Sequence, residues 1–291
     1  MGRHGRRTTA ALLGAALLTA LAAGGCSGGS GGSVDAGASP STDPASESPA
    51  TAGTPPPTAA DPVRPDRRGC YRLSYDQALA PTTHRKAVPC DRPHTATTFV
   101  VGDLDTVVDG HLLAVDARRV QARVAAACPR RLPGFLGATP DQMRLTSLRP
   151  VWFSPTLAQS DAGQNWFRCD VIALARDGRL AEVTGRLQGA LSTEPGRREF
   201  GICGTSQPGR PDFERVICSA PHAWRAIASY DGTGDRYPGA AALQATAQTR
   251  CKNVARARAA DPLDFEWGYD WPTREQWRSG QHWGLCWAPD A

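Results

Sequence analysis

Two ungapped segments of this chain carry one pattern, P-T-x2-Q-x3-G-Q-x-W-x2-C: Pro155 to Cys169 and Pro272 to Cys286. A second pattern, C-x2-P-H, also occurs twice, from Cys90 to His94 and from Cys218 to His222. Motifs that return in the same order read as one supersecondary unit written twice, each copy built around its own cysteines. The expected fold class is therefore α+β. Two tandem disulfide-stapled modules follow a disordered linker, each an antiparallel sheet with one main helix.

Of the 9 cysteines, Cys26 stands apart and the others divide evenly: Cys70, Cys90, Cys128 and Cys169, then Cys203, Cys218, Cys251 and Cys286. An even set at matched order in an exported chain implies a disulfide framework. No C-x2-C occurs, so the commonest zinc and thiol-redox spacings are missing. Four cysteines permit three pairings, and sequence alone does not choose among them. Gly69-Cys70-Tyr71 and Lys86-Ala-Val-Pro-Cys90 read as the outer ends of a hairpin, which favours first with second and leaves third with fourth. The expected pairs are then Cys70 with Cys90, Cys128 with Cys169, Cys203 with Cys218, and Cys251 with Cys286.

The export reading comes from the N-terminus. Arg3, Arg6 and Arg7, the apolar run Ala10 to Ala23 and a small-residue end give the order of a signal peptide, and the run is too short to span a bilayer. Leu21-Ala-Ala-Gly-Gly-Cys26 is similar to a bacterial lipobox, which makes Cys26 the lipidation site and membrane lipid the first partner. Residues 1–25 are then the signal, and 26–66 the lipidated Cys and a Gly/Ser/Pro/Ala/Thr linker. With Val34 and Val63 its only larger apolar residues, that linker cannot offset the entropy of ordering. Some ~40 flexible residues average roughly 35 Å end to end. The formal charge of +5 includes the signal arginines Arg3, Arg6 and Arg7, and the remainder gives no electrostatic case for nucleic acid.

The two halves, 67–195 and 196–291, read alike. Thr95 to Val101 and Ala223 to Ile227 are strand-like. Leu112, Val115, Val120, Val124 and Cys128 fall at helical spacing, as do Leu243, Ala247, Cys251 and Val254. Phe265, Trp267, Tyr269 and Trp271 alternate as a half-buried strand, with Leu148, Pro150, Trp152 and Ser154 in the same register of the first half. Pro-Thr-x2-Gln-x3-Gly predicts a short helix, with Pro near its first turn, Thr156 or Thr273 near the N-cap and Gly163 or Gly280 ending it. The first half then adds a hairpin around Asp177-Gly178 that the second half lacks.

This arrangement resembles the septum-formation family of actinobacterial envelope proteins, over Gly69 to about Leu191 and again over Gly201 to Cys286. Gly-Cys-aromatic, C-x2-P-H, a helical Cys and the closing Trp-x2-Cys carry the resemblance. Gly69 stands where the family has Asp, and the acidic residue after Pro-His is absent. The resemblance implies a link to septum formation or cell division, and with the lipobox and the few signs of chemistry the expectation is a non-enzymatic, membrane-anchored envelope lipoprotein acting as an interaction module on the extracytoplasmic face of the cell membrane. Its implied partners are peptidoglycan or a membrane or division protein.

Signs of chemistry are few. H-E-x2-H and S-x2-K are missing, G-x-S-x-G occurs only within the Gly/Ser linker, at Gly25 to Gly29 and Gly28 to Gly32, and no cofactor is expected. His94 and His222 are the candidates for an alternative enzymatic or metal-binding role, although a histidine kept in both copies also fits a structural part. Trp267, Trp271, Trp277, Trp283 and Trp287 crowd the last 25 residues, and such a cluster can form a sugar- or peptide-binding face. Trp283 matches Trp166 and reads as core. Trp277 and Trp287 have no counterpart and read as surface binding candidates.

Overall fold

The structure, a computed structural model, describes residues 63–290. The export signal, Cys26 and the linker as far as residue 62 lie outside the described residues, as does Ala291. In chain order the first half forms β1 (Cys70–Tyr71), α1 (Tyr75–Leu79), β2 (Ala96–Asp103), β3 (Val107–Val108), β4 (His111–Leu112) and α2 (Arg118–Leu136). It continues with α3 (Pro140–Arg144), β5 (Leu148–Phe153), α4 (Leu157–Asp161), β6 (Trp166–Arg176) and β7 (Arg179–Leu180). After a connecting helix α5 (Glu194–Glu199) come β8 (Ile202–Gly204), β9 (Arg215–Ile217), β10 (Trp224–Asp231) and α6 (Ala240–Arg256). The second half ends with β11 (Gly268–Asp270), α7 (Arg274–Arg278) and β12 (Trp283–Pro289).

The opening repeat now has a physical cause. In α4 the Thr156 side chain accepts from the Gln159 N–H while the Gln159 side chain accepts from the Thr156 N–H, and Thr273 and Gln276 do the same in α7. Each pair is a capping box, which satisfies two backbone donors at once and explains why Thr and Gln recur three apart. Gly163 and Gly280 sit at φ 86° and 96°, where a side chain is disfavoured, and turn the chain into β6 and β12. The prolines, expected near the first turn, stand one residue before the cap.

Every strand pair is antiparallel, and one ten-stranded sheet runs β1-β2-β6-β9-β8-β10-β12-β11, with β5 and β7 also paired to β6. The expectation of one sheet per half is corrected here. Strand β6 runs on until Arg176 faces Val216 of β9, so the two halves share a sheet. Their registers nevertheless match. β2 bulges between Thr98 and Val100 against β6, and β10 bulges between Ala226 and Ala228 against β12, which sets Val100 opposite Cys169 and Ala228 opposite Cys286.

The cystines join Cys70 to Cys90, Cys128 to Cys169, Cys203 to Cys218 and Cys251 to Cys286, with Cα separations of 5.3, 5.6, 4.9 and 4.9 Å. Two of them staple the main helices, α2 and α6, to β6 and β12. Closing loops of this size is worth roughly 3 to 4 kcal/mol each in the chain-entropy picture. Cys70 bridges Val88, but helix α1 lies between them, so the segment is no simple hairpin.

Other departures have local causes. α2 starts at Arg118 because Leu112 is spent on the exposed β4, and it continues past Pro129 and Pro133 to the left-handed Gly137 at φ 68°. β11 spans only Gly268–Asp270, yet Trp267, Tyr269 and Trp271 still share the side facing α6, stacked 5.7 Å apart and half-buried. No helix among the described residues is long and apolar enough to cross a membrane.

Candidate functional site

In the first half the space between α2, β2, β5 and β6 is a packed core. Leu132, Leu136, Leu148, Val171 and Ala173 are buried there, and Phe135 meets Phe99 at 5.5 Å. Val183, Leu187 and Leu191, from the segment after β7, close it from outside. Counting along the helices from the stapled cysteines, the second half places Ala255, Arg258 and Ala259 where the first has Leu132, Phe135 and Leu136. The shared strand registers place Ile227 for Phe99, Phe265 for Leu148, Ala288 for Val171 and Asp290 for Ala173.

The consequence is a cleft of about 1050 Å³, and each of those second-half residues lines it. It exists because alanines stand where the first half has leucines and because α6 stops at Arg256, a turn short of the equivalent end of α2. Leu145 and Thr146 of the first half and Arg197 of α5 form the facing wall. A concave site with an apolar floor and a few converging polar groups is the form in which proteins hold ligands.

The charges around the cleft are unevenly spent. Arg225 Nε donates to Asp290 Oδ2 at 2.6 Å, and Arg198 pairs with Glu194 at 2.7 Å. Arg197 Nη1 donates to the Leu191 carbonyl at 2.9 Å, and Arg258 donates to that of Ile227, but among the described residues neither forms an ion pair. Asp261, Asp264 and Glu266, on the loop from α6 to β11, form none there either. Burial raises the Asp290 carboxyl, but hydrogen bonds from His222 and Arg225 outweigh it and hold the group below the ordinary carboxylate range.

The two Pro-His sites differ. His94 is fully buried; its Nδ1 lies 2.8 Å from the Arg92 carbonyl and its Nε2 3.1 Å from the Thr97 hydroxyl, while its backbone bridges Val183. His222 Nδ1 likewise lies 2.7 Å from the Ala220 carbonyl, but its Nε2 is 3.0 Å from Asp290 Oδ2 at the cleft rim. Both ring nitrogens of each residue are engaged within the protein. His222 does lie with Cys203 and Cys218 in one group of potential metal ligands, within 4.8 Å of one another, but those sulfurs are joined in a cystine.

The tryptophan candidates are corrected. Trp287 is fully buried, and Trp277 is 3% exposed, stacked on His282 at 4.2 Å, with its Nε1 donating to the Asp235 carbonyl. Neither offers a binding face. Lacking a partner in the other half did not mean lying outside the core: Trp287 takes the place of Asp170. Trp166 is buried as expected, whereas Trp283 is only half-buried, beneath the Arg144 guanidinium at 4.9 Å.

A buried ion pair escaped the sequence reading. Arg168 and Asp170 alternate on one face of β6, with Nη2 2.9 Å from Oδ2 and side-chain exposures of 4% and 0%. The guanidinium is sandwiched between the Tyr71 and Phe153 rings at 3.8 and 4.8 Å, and Thr98 Oγ1 donates to Asp170 at 2.7 Å. Burial pushes the Asp170 carboxyl up against the opposing pull of Arg168 and Thr98. The matching pair in the second half is Leu285 and Trp287, so the charges belong to the first half's fold.

Comparison with known proteins bears on the whole of this region. Residues 151–286 match the family model described as septum formation. The septum-formation match runs from within β5 to the cysteine that closes the second half, across the shared sheet, and includes most of the cleft. It supports a septum-formation family protein and a role linked to septum formation. No curated protein and no solved structure matches the chain.

Proposed function

We propose that this protein is a non-enzymatic envelope lipoprotein of the septum-formation family. It is built of two tandem modules, is held to the membrane by lipid on Cys26, and binds a partner in the cleft of the second module. The observation that carries this reading is the cleft itself. One copy of a repeated core is filled and covered, and the other presents the same floor open, with unspent charge around it. The septum-formation match supports a role linked to that process. Peptidoglycan and a membrane or division protein are the partner classes this reading admits.

A non-catalytic role is supported by the histidines, whose nitrogens are engaged within the protein. The test is to follow the tagged full chain in dividing cells and in fractionated envelopes. The reading expects enrichment at division sites and loss of membrane retention in Cys26→Ser. Uniform distribution that ignores division would contradict the septal role, and unchanged membrane retention of Cys26→Ser would contradict the anchor.

A further inference from the structure

Resting on that reading, we infer that the cleft accepts an apolar, basic-flanked segment of a partner protein. That segment would lie over the second half as Val183, Leu187 and Leu191 lie over the first. The first half supplies the template. Its Leu132, Leu136, Leu148 and Val171 form a floor, and the irregular stretch from Ala181 to Leu191 covers that floor with three aliphatic side chains. The second half repeats the floor with Ala255, Ala259, Phe265 and Ala288, and among the described residues no second-half segment occupies the covering position.

Ala255 and Ala259 leave more depth than the template has, so aliphatic side chains of Val or Leu size can enter between α6 and β10. Charge selects the flank. Asp261, Asp264 and Glu266 stand along one rim without cations, so a basic residue beside the apolar anchors meets unpaired carboxylates there. A glycan offers neither aliphatic anchors nor positive charge, and the aromatic rings suited to it lie elsewhere, half-covered by α6.

The probe is a fluorescent synthetic peptide of residues 180–191 added to the detergent-solubilised full chain, followed by anisotropy. The expected result is saturable binding that weakens at least tenfold when the peptide's Val183, Leu187 and Leu191 are alanine. Ala255→Leu with Ala259→Leu in the protein, which writes the first half's floor into the second, should weaken it as much. A Glu182→Lys peptide should bind about threefold tighter, an advantage lost in 0.5 M salt or in the exposed double variant Asp264→Asn with Glu266→Gln. That rim variant keeps the test valid even where a core variant fails to fold.

No binding, or binding indifferent to both the alanine peptide and the filled cleft, would overturn the inference. So would sedimentation showing that a second copy of the chain already fills the cleft. If the peptide fails while cleft filling still lowers retention on envelopes, only the ligand class falls. If retention ignores the filling, the reading of the cleft as a binding site falls with it.

Discussion

The first and second halves set the same strands in the same register, close with cystines in the same places and cap the same short helix. They differ in what covers the sheet beside the main helix. In the first, Leu132, Phe135 and Leu136 fill that space and Val183, Leu187 and Leu191 seal it. In the second, Ala255, Arg258 and Ala259 leave it open. One half keeps a filled core there, and the other presents an open surface at the matching place. A cleft that looks like a packing defect in isolation has a filled counterpart at the matching place.

The largest effects should come from treating the halves alike. Leu132→Ala or Leu136→Ala carves into the first half what the second already has, and should cost about 2 to 5 kcal/mol in urea unfolding. Ala255→Leu with Ala259→Leu performs the reverse change at the cleft, where Ala255 is buried and Ala259 half-buried, and should leave the midpoint unchanged or raise it. If both pairs destabilise equally, the second-half space is core and the contrast fails.

The buried ion pair ranks next. Arg168→Leu, the residue found at the matching position, leaves Asp170 enclosed without its cation and should cost about 3 kcal/mol near neutral pH. Burial raises the Asp170 carboxyl, so it takes up a proton more readily in the folded than in the unfolded chain. With Arg168 gone, the loss should therefore grow as pH rises above the ordinary carboxylate value of about 4 and shrink below it. A pH-independent loss would mean that the ring contacts to Tyr71 and Phe153, and not the charge, hold the site.

Much of this was legible in the residues. Matched cysteines and the Thr-x2-Gln spacing pointed to staples and capped helices because both are local chemistry with fixed geometry. The shared sheet was not legible, because it depends on β6 running to Arg176 and meeting Val216, a contact no local pattern encodes. The cleft had a readable signal that the motifs overshadowed. Aligning Cys128 with Cys251 sets Leu132, Phe135 and Leu136 over Ala255, Arg258 and Ala259, a lower apolar volume at three neighbouring positions at and just beyond the end of α6. Trp277 and Trp287 misled because a residue without a counterpart can still be packed, as Trp287 is where the first half buries Asp170.

The smallest expected effect concerns the two histidines. Asp290 is held below the usual carboxylate range, so the stability it contributes is fully present above a pH of about 4 and is lost as pH falls below it. Its side chain is 30% exposed, so solvent screening keeps Asp290→Asn within about 1 kcal/mol at neutral pH, with a flatter acid limb in the melting profile. His94 faces Thr97 and no carboxylate, so Thr97→Val should leave the acid limb unaltered. An equal acid response from both variants would erase the distinction between the sites.

The central claim is that the open half of a repeated core is a binding site. Its most direct measurement sets the full chain beside the Ala255→Leu, Ala259→Leu variant, comparing thermal midpoint and retention by solubilised envelope membranes and cell wall in one preparation. The account predicts a midpoint no lower than that of the parent and at least a tenfold loss of retention. A folded variant that is retained as well as the parent would contradict it.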